Sequence, residues 1–83
     1  MDKNLKNLVE NLVKIKNPDN MVDFLKIILT PKELENIPKR LEILHLLKQG
    51  MNQRKIANKL GTGIATVTRG SKELKYNNLK NVA

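Results

Sequence analysis

Apolar residues recur along this chain at intervals of three and four, which is the spacing of amphipathic helices. The first such stretch covers residues 4–16, and a second covers residues 18–29. The second stretch is apolar on most of its circumference, so other protein surface must cover it. The pattern predicts two helices, with Asn17 capping the second and Pro18 in its first turn.

A capping-box sequence, Thr30-Pro31-Lys32-Glu33, begins the next helical stretch. Pro38 is expected to end a short helix there, because proline removes a backbone donor and clashes with the preceding turn. A further helix is predicted over residues 39–49, with Gly50 at its end. The chain is therefore predicted to be all-α, with roughly six helices in one domain. The residues expected to face inward from these two helices are Leu34, Ile37, Leu41, Leu44 and Leu47, with Ile43 and Leu46 widening the face.

Residues 53–75, QRKIANKLGTGIATVTRGSKELK, predict two helices joined by a short turn. The first covers 53–60 with Asn52 as its cap, and the second covers 64 to about 74. Gly61 ends the first helix, because glycine readily adopts the left-handed conformation found there. So short a turn makes the helices pack at a steep angle, which is the geometry of the helix-turn-helix DNA-binding motif. The apolar residues that would face inward are Ile56, Ala57, Leu60, Val67 and Leu74.

The opposite face of the second helix carries short polar, methyl-bearing and basic side chains. Such side chains suit base edges, thymine methyl groups and phosphates. An ordinary helical bundle can also contain an apolar-basic helix pair with a glycine turn, so the pattern alone leaves both interpretations open. The residues expected on this face are Thr62, Ala65, Thr66, Thr68, Arg69 and Lys72.

The net charge of +8 lies entirely in the second half of the chain. Residues 1–38 contain six basic and six acidic residues, whereas residues 39–83 contain ten basic and two acidic residues. A basic face attracts polyanions. Binding to an anionic membrane needs a large apolar helix face, and single-stranded nucleic acid is usually stacked on aromatic side chains. This half has only Tyr76 as an aromatic residue, so double-stranded DNA is the predicted partner.

The small size of the chain points to a homodimer. A chain of 83 residues without cysteine has little core and no disulfide, so oligomerisation is the common remaining source of stability. We predict a dimer contact built from residues 5–29 and 41–47. The alternative is that residues 18–29 form a central helix wrapped by neighbours in the same chain.

The sequence contains no recognisable catalytic, metal or cofactor site. His45, the single histidine, lies in a leucine-rich helix and is expected to be half-buried rather than a base or ligand. Gly61-Thr62-Gly63 lacks the third glycine and the preceding strand of a dinucleotide-binding loop, and no carboxylate cluster suits a divalent metal. We expect no enzyme. Because no signal peptide or membrane-spanning run is visible, we expect a cytoplasmic protein.

Several stretches closely resemble the tryptophan repressor family. They are Leu29-Thr-Pro31, MNQRKIA at 51–57, LGTGIATVTRGS at 60–71 and Leu74-Lys75. The resemblance covers residues 24–75 well and the N-terminal helix loosely. It implies an intertwined all-helical dimer that binds palindromic operator DNA when L-tryptophan, the corepressor, lies beside the DNA-reading helices.

The resemblance also implies which residues contact DNA. Gln53 and Arg54 would act from the start of the first helix of the pair. The start of the second helix would contribute Ile64, Ala65, Thr66 and Thr68. Phosphate contacts are predicted for the basic residues Arg54, Lys55, Lys72 and Lys75.

The tryptophan site implied by the resemblance is centred on Arg69, which would pair with the ligand carboxylate and stack on its indole ring. Thr30 and Gly70 would lie nearby, and the carbonyls of Ile27 and Leu29 from the other subunit would accept from the ammonium group. A second basic residue would complete the indole sandwich. Counting from the Thr-Pro pair places it at Arg40, whereas counting back from the helix-turn-helix places it at Lys39. The alternative role for Arg69 is one more phosphate contact.

The chain also departs from the family pattern. Glu73 stands where the family typically has serine, and its carboxylate either pairs with the ligand ammonium group or is a solvated helix charge. Compared with the family, we expect the last helix to be missing after Ala83 and the N-terminal segment to be short. Related proteins with a similar KRLE-type segment have no established ligand.

These observations give a domain plan and three functions. Residues 1–83 form one domain, with dimerisation helices over 1–50, a helix-turn-helix over 51–75 and a flexible tail over 76–83. The leading hypothesis is a sequence-specific DNA-binding transcriptional repressor gated by L-tryptophan. The second is a related DNA-binding protein with no ligand or another ligand. The third is a structural or interaction module, a helical dimer whose basic face meets an acidic protein or a membrane.

Overall fold

The computed structural model describes residues 1–76 and 82, and every regular element in this part of the chain is a helix. The prediction of an all-α fold is therefore confirmed. The chain divides into two compact units, Met1–Leu34 and the part from Glu35 onward. No helix among the described residues is long and apolar enough to cross a membrane. The helices are α1 (Lys3–Lys14), α2 (Pro18–Ile28), α3 (Pro31–Lys48), α4 (Gln53–Leu60) and α5 (Ile64–Tyr76).

Side-chain caps begin both helices of the first unit. The Asp2 carboxylate accepts from the Leu5 amide at 3.1 Å, and the Asn17 side chain accepts from the Asp19 amide at 2.8 Å with Pro18 in the first turn. The predicted helices are thus confirmed, although α1 ends at Lys14 rather than at residue 16. Neither helix contains a buried residue, so their apolar side chains stay largely exposed to solvent.

Helix α3 corrects the prediction of two helices around Pro38. The capping box is present as predicted, since the Thr30 amide donates to Glu33 Oε1 at 2.8 Å and the Glu33 amide donates to Thr30 Oγ1 at 3.1 Å. The helix nevertheless continues through Pro38 to Lys48, so the described residues form five helices instead of the roughly six expected. A proline inside a helix costs about 3 kcal/mol. Here Pro38 is exposed, and the capping box and the core hold the helix on either side of it.

The core of the second unit lies where α3, α4 and α5 contribute apolar side chains. Its buried members are Ile43, Leu46, Ile56, Ala57 and Val67, and the partly buried Leu47, Met51 and Leu60 pack against them.

The inward face of α3 differs from the predicted one. The buried positions are Ile43 and Leu46, whereas Leu41 is 47% exposed and Ile37 is 42% exposed. Two apolar faces overlap on this helix, and both have helical spacing. Periodicity cannot tell which of them meets α4 and α5, because that depends on the path of the chain after Gly50.

Glycines shape the two turns that position α4. Gly50 has φ +87° after α3, and Gly61 has φ +65° after α4, a conformation that favours glycine. The predicted Asn52 cap is confirmed, because its side-chain oxygen accepts from the Arg54 amide at 2.8 Å. Of the predicted flexible tail, Tyr76 belongs to α5, and residues 77–81 and 83 lie outside the described residues. The Val82 carbonyl accepts from Lys48 Nζ at 2.7 Å.

Candidate nucleic-acid interface and ligand pocket

Helices α4 and α5 form a packed pair joined by the turn at residues 61–63. Ile56 and Val67 are fully buried between the elements, and the small Ala57 is 6% exposed. The Thr62 amide closes the end of α4 by donating to the Ala57 carbonyl at 3.0 Å. Because these inward side chains fix the rotation of both helices, they also decide which residues face solvent.

Most residues predicted to contact DNA lie on the outer surface of this pair. Ile64 is 49% exposed, although it is a large apolar residue at the first position of α5. Gln53 and Thr68 are only half-buried rather than open. The remaining members of the predicted set are exposed: Arg54, Lys55, Ala65, Thr66, Lys72 and Lys75.

Thr68 differs from the expectation of a solvent-exposed DNA reader. Its hydroxyl donates to Gln53 Oε1 at 2.9 Å, in a partly buried hydrogen bond between residues 15 apart in sequence. This bond joins the first turn of α4 to the second turn of α5. No local sequence signal announces it, because neither residue lies within helical hydrogen-bonding distance of the other along the chain.

A pocket of about 270 Å³ opens between α3 and α5 within the second unit. It combines two guanidinium groups, one carboxylate and an apolar wall. On α5 the lining residues follow helical spacing, so one face of this helix forms one side of the pocket. The lining residues are Arg40, Ile43, Leu44, Thr66, Arg69, Gly70 and Glu73.

Gly70 of α5 faces the apolar side chains of α3. A Cβ atom added there would lie 3.2 Å from Ile43 Cγ2, 3.5 Å from Leu47 Cδ1 and 3.7 Å from Leu44 Cδ2. The absence of a side chain therefore keeps the two helices close and contributes open space to the pocket.

A second, polar pocket of about 270 Å³ lies beside the helix-pair turn. Arg40 lines both pockets, whereas Lys39 lines only the second and forms an ion pair with Glu35 at 3.6 Å. The structure thus places Arg40, rather than Lys39, in the pocket that also contains Arg69. The residues lining the second pocket are Asn36, Lys39, Arg40, Ile43, Gly61, Thr62, Gly63 and Thr66.

The other residues of the implied tryptophan site belong to the first unit and line neither pocket. Thr30 uses its hydroxyl in the capping box of α3. The side chain of Ile27 is 84% exposed and Leu29 is half-buried. Their expected role depended on backbone carbonyls of a second subunit, so it stays a prediction.

Two buried polar atoms were not anticipated from the sequence. Thr62 Oγ1 and His45 Nε2 are shielded from solvent and have no hydrogen-bond partner among the described residues. The other ring nitrogen of His45 lies 3.6 Å from Glu42 Oε2, and the residue is half-buried as predicted. The described residues include no group of three potential metal ligands.

Fold and site together describe a small all-helical protein whose second unit joins a basic helix pair to a charged pocket. The model of the Trp repressor protein family matches residues 3–81, so the chain belongs to this family of regulators. The resemblance seen in the sequence is thereby confirmed.

Individual relatives agree with this assignment. A Trp operon repressor homolog of Photobacterium profundum is 55% identical over 53 residues, covering 63% of this chain and 52% of the relative. A homolog of the same name from Vibrio cholerae is 52% identical over 52 residues, covering 61% of this chain and 50% of the relative. One from Xylella fastidiosa is 39% identical over 74 residues, covering 88% of this chain and 80% of the relative. The chain spans about half the length of the first two relatives.

Proposed function

We propose that this protein is a sequence-specific DNA-binding transcriptional repressor that acts in the cytoplasm as a homodimer, with L-tryptophan as corepressor. The observation that carries the proposal is the exposed, basic and methyl-bearing outer surface of the α4–α5 pair in a chain of the Trp repressor family. Two packed helices joined by a short turn suit a helix-turn-helix, in which the second helix enters the major groove.

The start of α5 supplies groups suited to base edges. Ile64, Ala65 and Thr66 are exposed there, and their methyl groups and hydroxyl match thymine methyls and base-edge polar atoms. Exposed basic residues at either side, Arg54 and Lys55 on α4 and Lys72 and Lys75 on α5, suit the flanking phosphates. Two copies in a dimer would place their second helices in half-sites about 34–36 Å apart, as in helix-turn-helix dimers generally, Trp repressors included.

The pocket between α3 and α5 suits a zwitterionic amino acid with a flat side chain. A guanidinium group makes strong, oriented contacts with a carboxylate, which Arg69 can provide. Arg40 on the opposite wall gives a second cation for stacking on an indole face. Glu73 supplies a negative charge for the ammonium group, and Ile43 and Leu44 supply the apolar wall.

Duplex DNA binding with and without L-tryptophan tests the whole proposal. We expect salt-sensitive, sequence-selective binding that tightens with L-tryptophan, and by linkage DNA must tighten tryptophan binding by the same factor. Arg69→Leu should abolish the stimulation and keep the basal binding. Equal DNA affinity with and without millimolar tryptophan in the wild type rules out this corepressor. If Arg69→Leu instead weakens basal and tryptophan-stimulated DNA binding equally, Arg69 contacts a phosphate.

One observation favours a second candidate, a repressor that needs no ligand. Arg69 and Glu73 are four residues apart on one face of α5 and line the same pocket, a spacing that allows an ion pair within a helix. Glu73 can therefore neutralise Arg69 without a ligand. Calorimetry with L-tryptophan separates the candidates, because the ligand-free repressor binds DNA and gives no heat of tryptophan binding.

A further inference from the structure

The Gln53–Thr68 hydrogen bond joins the two helices of the DNA-contacting pair at their outer surface. Gln53 is the first residue of α4 and Thr68 lies on the second turn of α5. Both are half-buried, and the Thr68 hydroxyl donates to Gln53 Oε1 at 2.9 Å. The buried apolar side chains of Ile56 and Val67 already hold the helices together beneath this bond. The bond is therefore not needed to keep the helices in contact.

The bond instead fixes the orientation of the Gln53 side-chain amide. A glutamine amide has one acceptor oxygen and two N–H donors in one plane. Because Oε1 accepts from Thr68, the two N–H groups of Nε2 are the donors that the amide can offer to a ligand. The oxygen keeps a second lone pair, but its position is fixed by Thr68, which disfavours the bidentate contact with adenine that needs both oxygen and nitrogen at one base edge.

We propose that Thr68 is a positioning residue that fixes the Gln53 amide, so that Gln53 donates an N–H to a DNA phosphate oxygen. This inference rests on the proposed binding of duplex DNA. A phosphate is the appropriate acceptor because the first helix of a helix-turn-helix crosses the DNA backbone. Gln53 also stands next to the exposed basic residues Arg54 and Lys55.

A double-mutant cycle on DNA affinity tests the proposal. The variants are Thr68→Val, which removes the hydroxyl and keeps the shape, Gln53→Met, which removes the amide, and the two combined. The probe is the tightest duplex selected by the wild-type protein from a random-sequence pool. Each single variant should weaken binding about fivefold, the effect of one net hydrogen bond. The double variant should be no weaker than the weaker single one, because Thr68 acts only through Gln53.

Thr68→Ser is the matched control for the hydroxyl. It keeps the donor and removes only the methyl group, so it should restore most of the affinity that Thr68→Val loses. Urea unfolding of every variant identifies conditions in which all are folded, and affinities are compared there. A Thr68→Ser variant as weak as Thr68→Val overturns the proposal, and so do independent losses that multiply in the double variant.

The nature of the DNA acceptor is tested by repeating the selection with Gln53→Met. Loss of a phosphate contact weakens binding to all sequences alike, so the preferred sequence should be unchanged. A changed preference at one base pair overturns the assignment to phosphate. A wild-type protein that binds no duplex overturns the proposed function and this inference with it, whereas the other adverse results arise in a protein that does bind DNA and overturn the inference alone.

Discussion

The absence of a Cβ atom at Gly70 affects both the packing of α5 on α3 and the space in the pocket. An added Cβ would lie 3.2 Å from Ile43 Cγ2, closer than ordinary contact, so the Ile43 side chain would have to shift. Alanine is also the better helix former by about 1 kcal/mol in a helix interior. The strain and the gain in helix propensity therefore oppose each other.

We expect Gly70→Ala to leave the free energy of unfolding within about 1 kcal/mol of the wild type and to weaken L-tryptophan binding about tenfold, since the methyl group enters the pocket. Urea unfolding and calorimetry measure the two effects. The control is Gly63→Ala, because a Cβ there meets nothing within 4 Å. Unchanged tryptophan affinity in Gly70→Ala would contradict the proposed place of the ligand.

Helix α3 contains two prolines, and their different positions give them different costs in stability. Pro38 lies inside the helix, whereas Pro31 is its first residue. At a first position proline has no hydrogen bond to lose, and its fixed φ suits the helix. In the interior it removes a bond to the fourth preceding residue.

Pro38→Ala should therefore stabilise the protein by about 2 kcal/mol, because it restores a backbone hydrogen bond and removes a steric clash. Pro31→Ala, the matched control, should change stability by less than about 1 kcal/mol. Denaturant unfolding of both variants measures the difference. If the two substitutions had equal effects, a continuous α3 through Pro38 would be wrong.

Helix α5 is expected to divide its DNA contacts along its length. Lys72→Ala should weaken binding to all duplexes alike and lower the slope of log affinity against log salt by about one. Thr66→Ala, at the exposed start of the helix, should change sequence preference with little change in slope. Affinity selection at two salt concentrations measures both. Identical selection profiles and slopes for the two variants would contradict this division.

At the scale of the whole molecule, the exposed apolar side chains of the first unit favour a dimer. Val13 is 66% exposed and Ile27 is 84% exposed, and the unit Met1–Leu34 contains no buried residue. Burying such side chains stabilises an association by about 1.5–3 kcal/mol each. A second copy of the chain, with the same apolar helices, can provide the cover.

Sedimentation at low micromolar concentration should accordingly give twice the chain mass. Ile27→Asp should raise the dimer dissociation constant more than tenfold, because it places a charge on the apolar surface. Asn20→Asp adds the same charge on a polar position of α2 and should leave the dimer intact, with circular dichroism confirming that both variants are helical. A monomeric wild type would contradict the dimer and the palindromic operator.

The sequence by itself determined the local features of this protein. The Asn17 and Asn52 caps, the Thr30–Glu33 capping box and the terminating Gly61 all depend on residues within four positions of one another. These caps and helix ends could therefore be predicted from the sequence without knowing how the rest of the chain folds. The same local stretch around Gly61 carried the most specific part of the family resemblance and the exposed basic residues of the α4–α5 pair.

Only the tertiary structure decided the features that join distant residues. It selected Ile43 and Leu46, rather than Leu41, as the buried face of α3, and it carried that helix through Pro38. It also joined Thr68 to Gln53 and placed Arg40 with Arg69 in one pocket. The buried face, the hydrogen bond and the pocket depend on the angle at which α3, α4 and α5 pack, and that angle is set by the shapes of side chains far apart in sequence.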